Sequence, residues 1–282
     1  MTKTTIILAL AGAALAAALA GSAAGTSRQL DTGFRSRALG GELHFEAYLP
    51  AGYAQGIRRY PVIYFLHGLP AAPGAYRSIG FVERALDRLG RPAILVVPQA
   101  ARPGEPDPEY LDRGRGEGWE TAIAEELPRV VDSRFRTVPH RDGRALIGLS
   151  AGGYGAMHLA LEHLDEFSVV ESWSGYFEPT NPAGTAVLDL GSTDRNRRAS
   201  VHAAVAKLAQ RLQTRPTTIA FYVGAADTRF RAENVRLHRE LAQAGVAHRF
   251  ALYPGGHSQK LWSAHAPAWL AFALDNLAAA QP

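Results

Sequence analysis

The 282-residue chain contains no cysteine. That absence excludes disulfides, thiol nucleophiles, cysteine-ligated zinc, iron–sulfur clusters and a lipid-modified cysteine at a processed terminus. The fold must rest on its core alone. Lysine is scarce as well: Lys3, Lys207 and Lys260 are the only lysines among 30 basic residues, so the positive charge is nearly all arginine, a compositional bias. Those arginines are dispersed among 26 acidic residues, and the formal charge of +4 forms no basic stripe, which speaks against nucleic-acid binding. No internal repeat and no second hydrophobic core is visible.

Hydrophobic residues make up 47% and charged residues 20% of the chain, the balance of a compact globular body rather than a disordered one. The amino terminus has its own layout. Lys3 precedes the apolar run Ile6 to Ala20, followed by the small residues Gly21, Ser22, Ala23 and Ala24. This is the three-part pattern of a secretory signal, with cleavage after Ala20 or Ala24, and the run is short for a stable membrane span. Residues 1–24 are read as a signal peptide, with an uncleaved anchor as the alternative, and 30–282 as one domain. The protein is expected to be secreted or associated with the cell envelope, with no stable membrane span after cleavage.

Beyond the leader, Leu43 to Leu49 alternates apolar and polar residues, as a half-buried strand does. Pro61 to His67 and Ala93 to Pro98 are short unbroken apolar runs, the pattern of strands buried on both faces of a parallel sheet. Further strands are expected over Arg144–Leu149, Ser168–Trp173, Thr217–Val223 and His248–Tyr253. The helices expected between and after them cover Phe81–Leu89, Trp119–Val131, Ala151–His163, Ala199–Leu212, Phe230–Ala244 and Ala266–Ala278. Repeated strand–helix–strand units imply an α/β fold with a mostly parallel central sheet covered by helices on both faces. Arg102 to Gly118, rich in proline, glycine and charge, reads as a long surface loop.

The sharpest chemical signal is Gly148-Leu-Ser-Ala-Gly-Gly153, placed where a strand ends and a helix begins. A nucleophile elbow needs small residues two before and two after the serine, because a Cβ there would collide with the neighbouring strand and helix. Gly148 and Gly152 meet that need. Ser150 is the candidate nucleophile; the alternative is a bystander serine in a glycine-rich turn.

In this architecture the acid and then the histidine follow on loops after later strands. His257 follows Tyr253-Pro-Gly-Gly256 and is the candidate general base; an exposed loop histidine is the alternative. Asp227 follows Gly224-Ala-Ala226 and is the candidate acid, or else the N-cap of the helix that follows. Asp194 and Glu233 are the fallback acids. The backbone N–H of Ala151 and of Leu69, in the loop His67-Gly68-Leu69, are the candidate oxyanion donors, with a purely structural turn as the alternative for the second. The side chain of His67 is read as loop support.

Several segments carry a family likeness: Tyr64-Phe-Leu-His-Gly-Leu69, Gly118-Trp-Glu-Thr-Ala-Ile-Ala-Glu-Glu-Leu-Pro128, Gly148 to Met157, and Gly255-Gly-His-Ser258 with Trp262. In these the chain resembles the putative esterase family that includes esterase D, feruloyl esterases and the antigen 85 mycolyltransferases. The resemblance implies the α/β-hydrolase fold, a triad of serine, acid and histidine, and acyl transfer to water or to a sugar hydroxyl. Two positions depart from it: Ala151 stands where many members have methionine, and Gln259 where tryptophan is often found. The expected function is a serine carboxylic-ester hydrolase working through an acyl-enzyme on Ser150, acting on a small-molecule or carbohydrate-linked ester. Such chemistry needs no metal or organic cofactor. An acyltransferase passing its acyl group to a sugar or glycerol hydroxyl is one alternative; a noncatalytic envelope binding protein is the other. Arg102 to Gly118 and Ser174 to Arg198 are the segments expected to shape the substrate pocket.

Overall fold

The apolar runs read from the sequence form the centre of an eight-stranded sheet. β3 (Val62–Leu66), β4 (Ile94–Pro98), β5 (Arg144–Leu149) and β6 (Val169–Trp173) are buried at every position, as strands covered on both faces must be. The structure is a computed structural model that describes residues 26–105, 107–181 and 185–281. The leader expected over residues 1–24 lies outside the described residues.

The sheet order is β1-β2-β4-β3-β5-β6-β7-β8, with β1 (Arg28–Ser36), β2 (Gly41–Leu49), β7 (Thr218–Gly224) and β8 (Arg249–Tyr253) completing it. β1 runs antiparallel to β2, and β2 antiparallel to β4; all the other neighbours are parallel. Among the described residues, no helix is long and apolar enough to cross a membrane.

One face of the sheet is covered by α1 (Gly80–Leu89) and α8 (Gln259–Asp275), which pack Phe81, Leu86, Trp269 and Leu270 against Phe65, Trp173 and Tyr222. On the other face lie α4 (Ala151–Glu162), α6 (Val201–Thr214) and α7 (Arg231–Gln243), joined to the core through Met157, Leu208 and Leu237. Each large side chain buried there stabilises the fold by roughly 1.5–3 kcal/mol before the entropy of ordering is set against it.

Some boundaries differ from the sequence reading for identifiable reasons. β1 is absent from that reading because an edge strand needs only one buried face: Phe34 and Ser36 alone are buried along it, so no alternating pattern is written there. The helix expected from Trp119 is α2 (Trp119–Thr121), which passes through a π-helical turn over Ala122–Glu126 into α3 (Leu127–Arg134). The helix expected from Ala199 is two: α5 (Thr193–Ala199) ends and α6 begins at Ser200, whose side chain accepts the N–H of Ala203 and caps the second helix. α8 starts at Gln259 rather than Ala266. Ser258 is its N-cap, and Pro267 sits inside the helix.

Candidate active site

Steric necessity shapes the turn after β5. A Cβ on Gly148 would lie 1.8 Å from the carbonyl oxygen of Gly152, and one on Gly152 would lie 2.0 Å from that of Leu66. Both glycines are therefore required by close backbone approach, one between strand and helix, the other between helix and β3. Between them Ser150 is held at φ 56°, ψ −118°, a region that residues with a Cβ seldom occupy. Its own N–H donates to the carbonyl of Trp173 (2.9 Å), tying the turn to the neighbouring strand. Such strain needs surrounding structure to hold it, and it is common at functional sites.

The loops after β7 and β8 bring Asp227 and His257 to the same carboxyl edge. His257 Nε2 lies 3.0 Å from Ser150 Oγ, and Nδ1 lies 2.9 Å from Asp227 Oδ2. A carboxylate only accepts, so the imidazole proton sits on Nδ1 and Nε2 is free to accept from the serine hydroxyl. Burial pushes the Asp227 carboxyl up, but the hydrogen bond and charge of His257, with the N–H groups of Phe230 and Arg229, more than offset it. The pKa ends below the usual carboxylate value.

The N-cap alternative for Asp227 is not what the structure shows, because the N-cap of α7 is Phe230 and carries no side-chain cap. Oδ2 faces His257, while Oδ1 accepts the N–H of Arg229 (3.0 Å) and Phe230 (3.1 Å) in the turn that leads into α7. The fallback acids are engaged elsewhere: Asp194 pairs with Arg197, and Glu233 accepts the N–H of Phe177. The His257 ring is flanked edgewise by Phe230 and Trp262, with centroids 5.2 and 4.9 Å away, and Trp262 Nε1 donates to Ser174 Oγ.

Gly68 follows β3 and approaches the elbow so closely that a Cβ there would lie 3.0 Å from the side chain of Ser150. Leu69 therefore sits beside Ser150. The N–H of Ala151, in the first turn of α4, has no intrahelical acceptor, as helix geometry requires, and points the positive end of the helix dipole at the same place. His67 is buried, which holds its pKa down despite its bond to Gly68; Nδ1 donates to the Gly68 carbonyl (2.8 Å).

A cavity of about 280 Å³ opens against Ser150 and His257. Its lining includes apolar Leu69, Pro70, Ile79 and Phe81, together with Arg229, Gln259 and Trp262. The Arg229 guanidinium lies 4.7 Å from the Phe230 ring centre. The segments Arg102–Gly118 and Ser174–Arg198, expected to shape this pocket, reach its margins: Glu105 and Asp107 line an adjoining cavity with Leu69 and Pro70, and Ser174 holds Trp262. Both segments also line a separate cavity of about 510 Å³ together with Glu120 and His158. Sequence reasoning missed Arg229, whose only signal was its place two residues after Asp227. It also missed the gathering of His158, His163 and Arg198 around buried Glu120.

Residues 36–272 match the family model described as Putative esterase. An esterase of Mycobacterium tuberculosis is 26% identical over 257 residues, covering 79% of this chain and 54% of the relative, so the chain spans about half the length of the curated relatives it matches. The diacylglycerol acyltransferase/mycolyltransferase Ag85A of Mycobacterium leprae is 38% identical over 76 residues, 27% of this chain and 22% of the relative. Among solved structures, a ferulic acid esterase superposes with a TM-score of 0.77 at 24% identity, covering 90% of this chain and 99% of the other. The fold is that of the α/β-hydrolases.

Proposed function

We propose that this chain, which belongs to the Putative esterase family, is a serine hydrolase that cleaves carboxylic esters through an acyl-enzyme on Ser150. The observation that carries this reading is the single imidazole bridging two partners, Asp227 at 2.9 Å and Ser150 Oγ at 3.0 Å.

In the first half-reaction Ser150 Oγ attacks the ester carbonyl and its proton passes to His257 Nε2. The oxygen of the tetrahedral intermediate is bound by the N–H groups of Leu69 and Ala151, where preorganised donors favour the developing charge. Asp227 steadies the imidazolium, which returns the proton to the departing alcohol. Water, activated by the same imidazole, then releases the acid and restores the serine. Residues of this chain supply every proton transfer, and no cofactor enters the scheme.

The substrate is an ester of a small or carbohydrate-linked alcohol. The apolar lining of Leu69, Pro70, Ile79 and Phe81 in a cavity of about 280 Å³ supports a modest acyl group. Transfer of the acyl group to a sugar or glycerol hydroxyl would use the same serine, and the partial likeness to a mycolyltransferase is what supports it. Export is inferred from residues 1–24, and amino-terminal sequencing of the protein recovered outside the cytoplasm tests it; a chain starting at Met1 overturns cleavage.

The test of the activity is release of p-nitrophenol from its acetate and butyrate esters by the parent and by Ser150→Ala. Turnover in the parent that disappears in the folded variant is the expected result. A folded parent that turns over neither ester with water, nor with a sugar or glycerol acceptor present, overturns catalysis in favour of a binding role in the envelope.

A further inference from the structure

Gly68 leads into the Leu69 N–H, yet glycine has more backbone freedom than any other residue and cannot by itself fix the direction of the peptide that follows. An oxyanion donor is useful only if it is already aimed. Two side-chain contacts supply that aim. In a planar trans peptide the C=O of one residue and the N–H of the next point in opposite directions, so a donor on the Gly68 carbonyl also sets the Leu69 N–H. His67 Nδ1 is that donor. The preceding peptide is held as well, because the hydroxyl of Tyr110 donates to the His67 carbonyl at 2.6 Å.

Tyr110 comes from the long loop between β4 and α2, and is itself held in place by an unusual arrangement. Glu109 and Tyr110 are consecutive residues at φ 54° and φ 57°, left-handed conformations that side chains with a Cβ seldom adopt. The Glu109 carboxylate, fully buried, accepts from the Tyr176 hydroxyl at 2.7 Å and from the N–H of Thr180 at 3.1 Å. Asp107 Oδ1 accepts the N–H of Glu109 at 3.0 Å. The Tyr110 ring lies against α4 so closely that a Cβ on Gly155 would come within 2.5 Å of it. Strain of this kind persists only where the surroundings over-determine it. Its one polar output is the hydroxyl on the His67 carbonyl.

We propose that Tyr110 is a positioning residue for the oxyanion hole: its hydroxyl fixes the peptide leading into Gly68, and from that fixed start the His67 side chain aims the Leu69 N–H. The inference rests on the reading of Leu69 as an oxyanion donor. Tyr110 touches neither the substrate nor Ser150 in this role; it acts through the β3 loop. Through Tyr110 the loop from Arg102 to Gly118 thereby serves the site from behind.

Tyr110→Phe keeps the ring against Gly155 and removes only the hydroxyl. We expect kcat for ester hydrolysis to fall roughly tenfold, less than the loss from deleting a donor outright, with KM within about twofold of the parent. The inhibition constant of a trifluoromethyl ketone, whose adduct with the serine carries the oxyanion, should weaken by a similar factor. A kcat within about twofold of the parent overturns the proposal, as does a kcat loss with an unchanged inhibition constant, which would make the hydroxyl merely structural. If Tyr110→Phe does not fold, Glu109→Ala removes the acceptor for the Tyr176 hydroxyl and the Thr180 N–H, loosens the segment that holds Tyr110, and is judged on the same two readouts. A parent that hydrolyses no ester and forms no adduct overturns the hydrolase reading, and this inference with it. A working parent with an unaffected variant overturns the inference alone.

Discussion

Asp227 holds His257, 30 residues away in sequence, with one carboxylate oxygen and the turn before α7 with the other. The two duties separate on substitution. Asp227→Asn retains an oxygen for the N–H groups of Arg229 and Phe230 but no longer fixes the imidazole tautomer, so kcat should drop by about 10³- to 10⁴-fold with little loss of Tm. Asp227→Ala should lose comparable activity and also about 1 kcal/mol of stability from the lost hydrogen bonds to the turn. Ester hydrolysis and thermal melts on both variants check this; equal melting temperatures would remove the turn-bracing role.

Ser150→Ala should reduce hydrolysis by at least about 10⁴-fold and abolish labelling by a fluorophosphonate, while Tm stays close to that of the parent. The backbone at φ 56° is imposed by Gly148 and Gly152 rather than by the hydroxyl, so the alanine inherits the same turn. Retained labelling at another residue, located by peptide mass mapping, would move the nucleophile elsewhere.

Gly152→Ala tests the elbow sterically. Its Cβ would meet two backbone carbonyls, that of Leu66 at 2.0 Å and that of His67 at 2.6 Å, and neither can move aside as a flexible side chain could. A loss of about 3 kcal/mol is expected, together with activity, because relief requires the elbow and the β3 loop to part. Gly90→Ala is the contrast: at φ 61° with open space around it, it should cost only about 1 kcal/mol and leave hydrolysis intact. Denaturant melts of the two variants measure the difference.

Glu171 gives the fold a pH dependence of calculable sign. It is fully buried in β6, and burial pushes its carboxyl from the ordinary 4.5 up to about 8, against the opposing hydrogen bond from Trp173 Nε1 and the charge of Arg249. Within that window the folded chain holds a proton that the unfolded chain releases. Its contribution therefore makes stability fall as pH rises towards 8, by at most about 1.4 kcal/mol per pH unit, and then level off. Glu171→Gln mimics the protonated acid and lacks this slope. Its Tm relative to the parent should rise steadily between about pH 5 and pH 8; a constant difference would show that Glu171 does not titrate there.

The sequence by itself determined the features that are local. Unbroken apolar runs such as Val62–Leu66 specify strands buried on both faces, because a side-chain pattern is enough to say which faces meet water. The glycines flanking Ser150 specify the elbow, because hard-sphere contact leaves no other residue room there. The succession of strands also placed Asp227 and His257 on loops at one edge. Tertiary structure alone decided what depends on residues brought together from afar. β1 pairs at an edge that requires little apolar surface, so it left no pattern to read. The division of Asp227 between two partners, the wall of the Ser150 cavity and the hydroxyl of Tyr110 on the carbonyl of His67 depend on how loops settle against the sheet. Glu109 and Tyr110 show why the sequence was silent there: they take a conformation usually signalled by glycine, and the groups that hold them lie as far away as Tyr176 and Thr180.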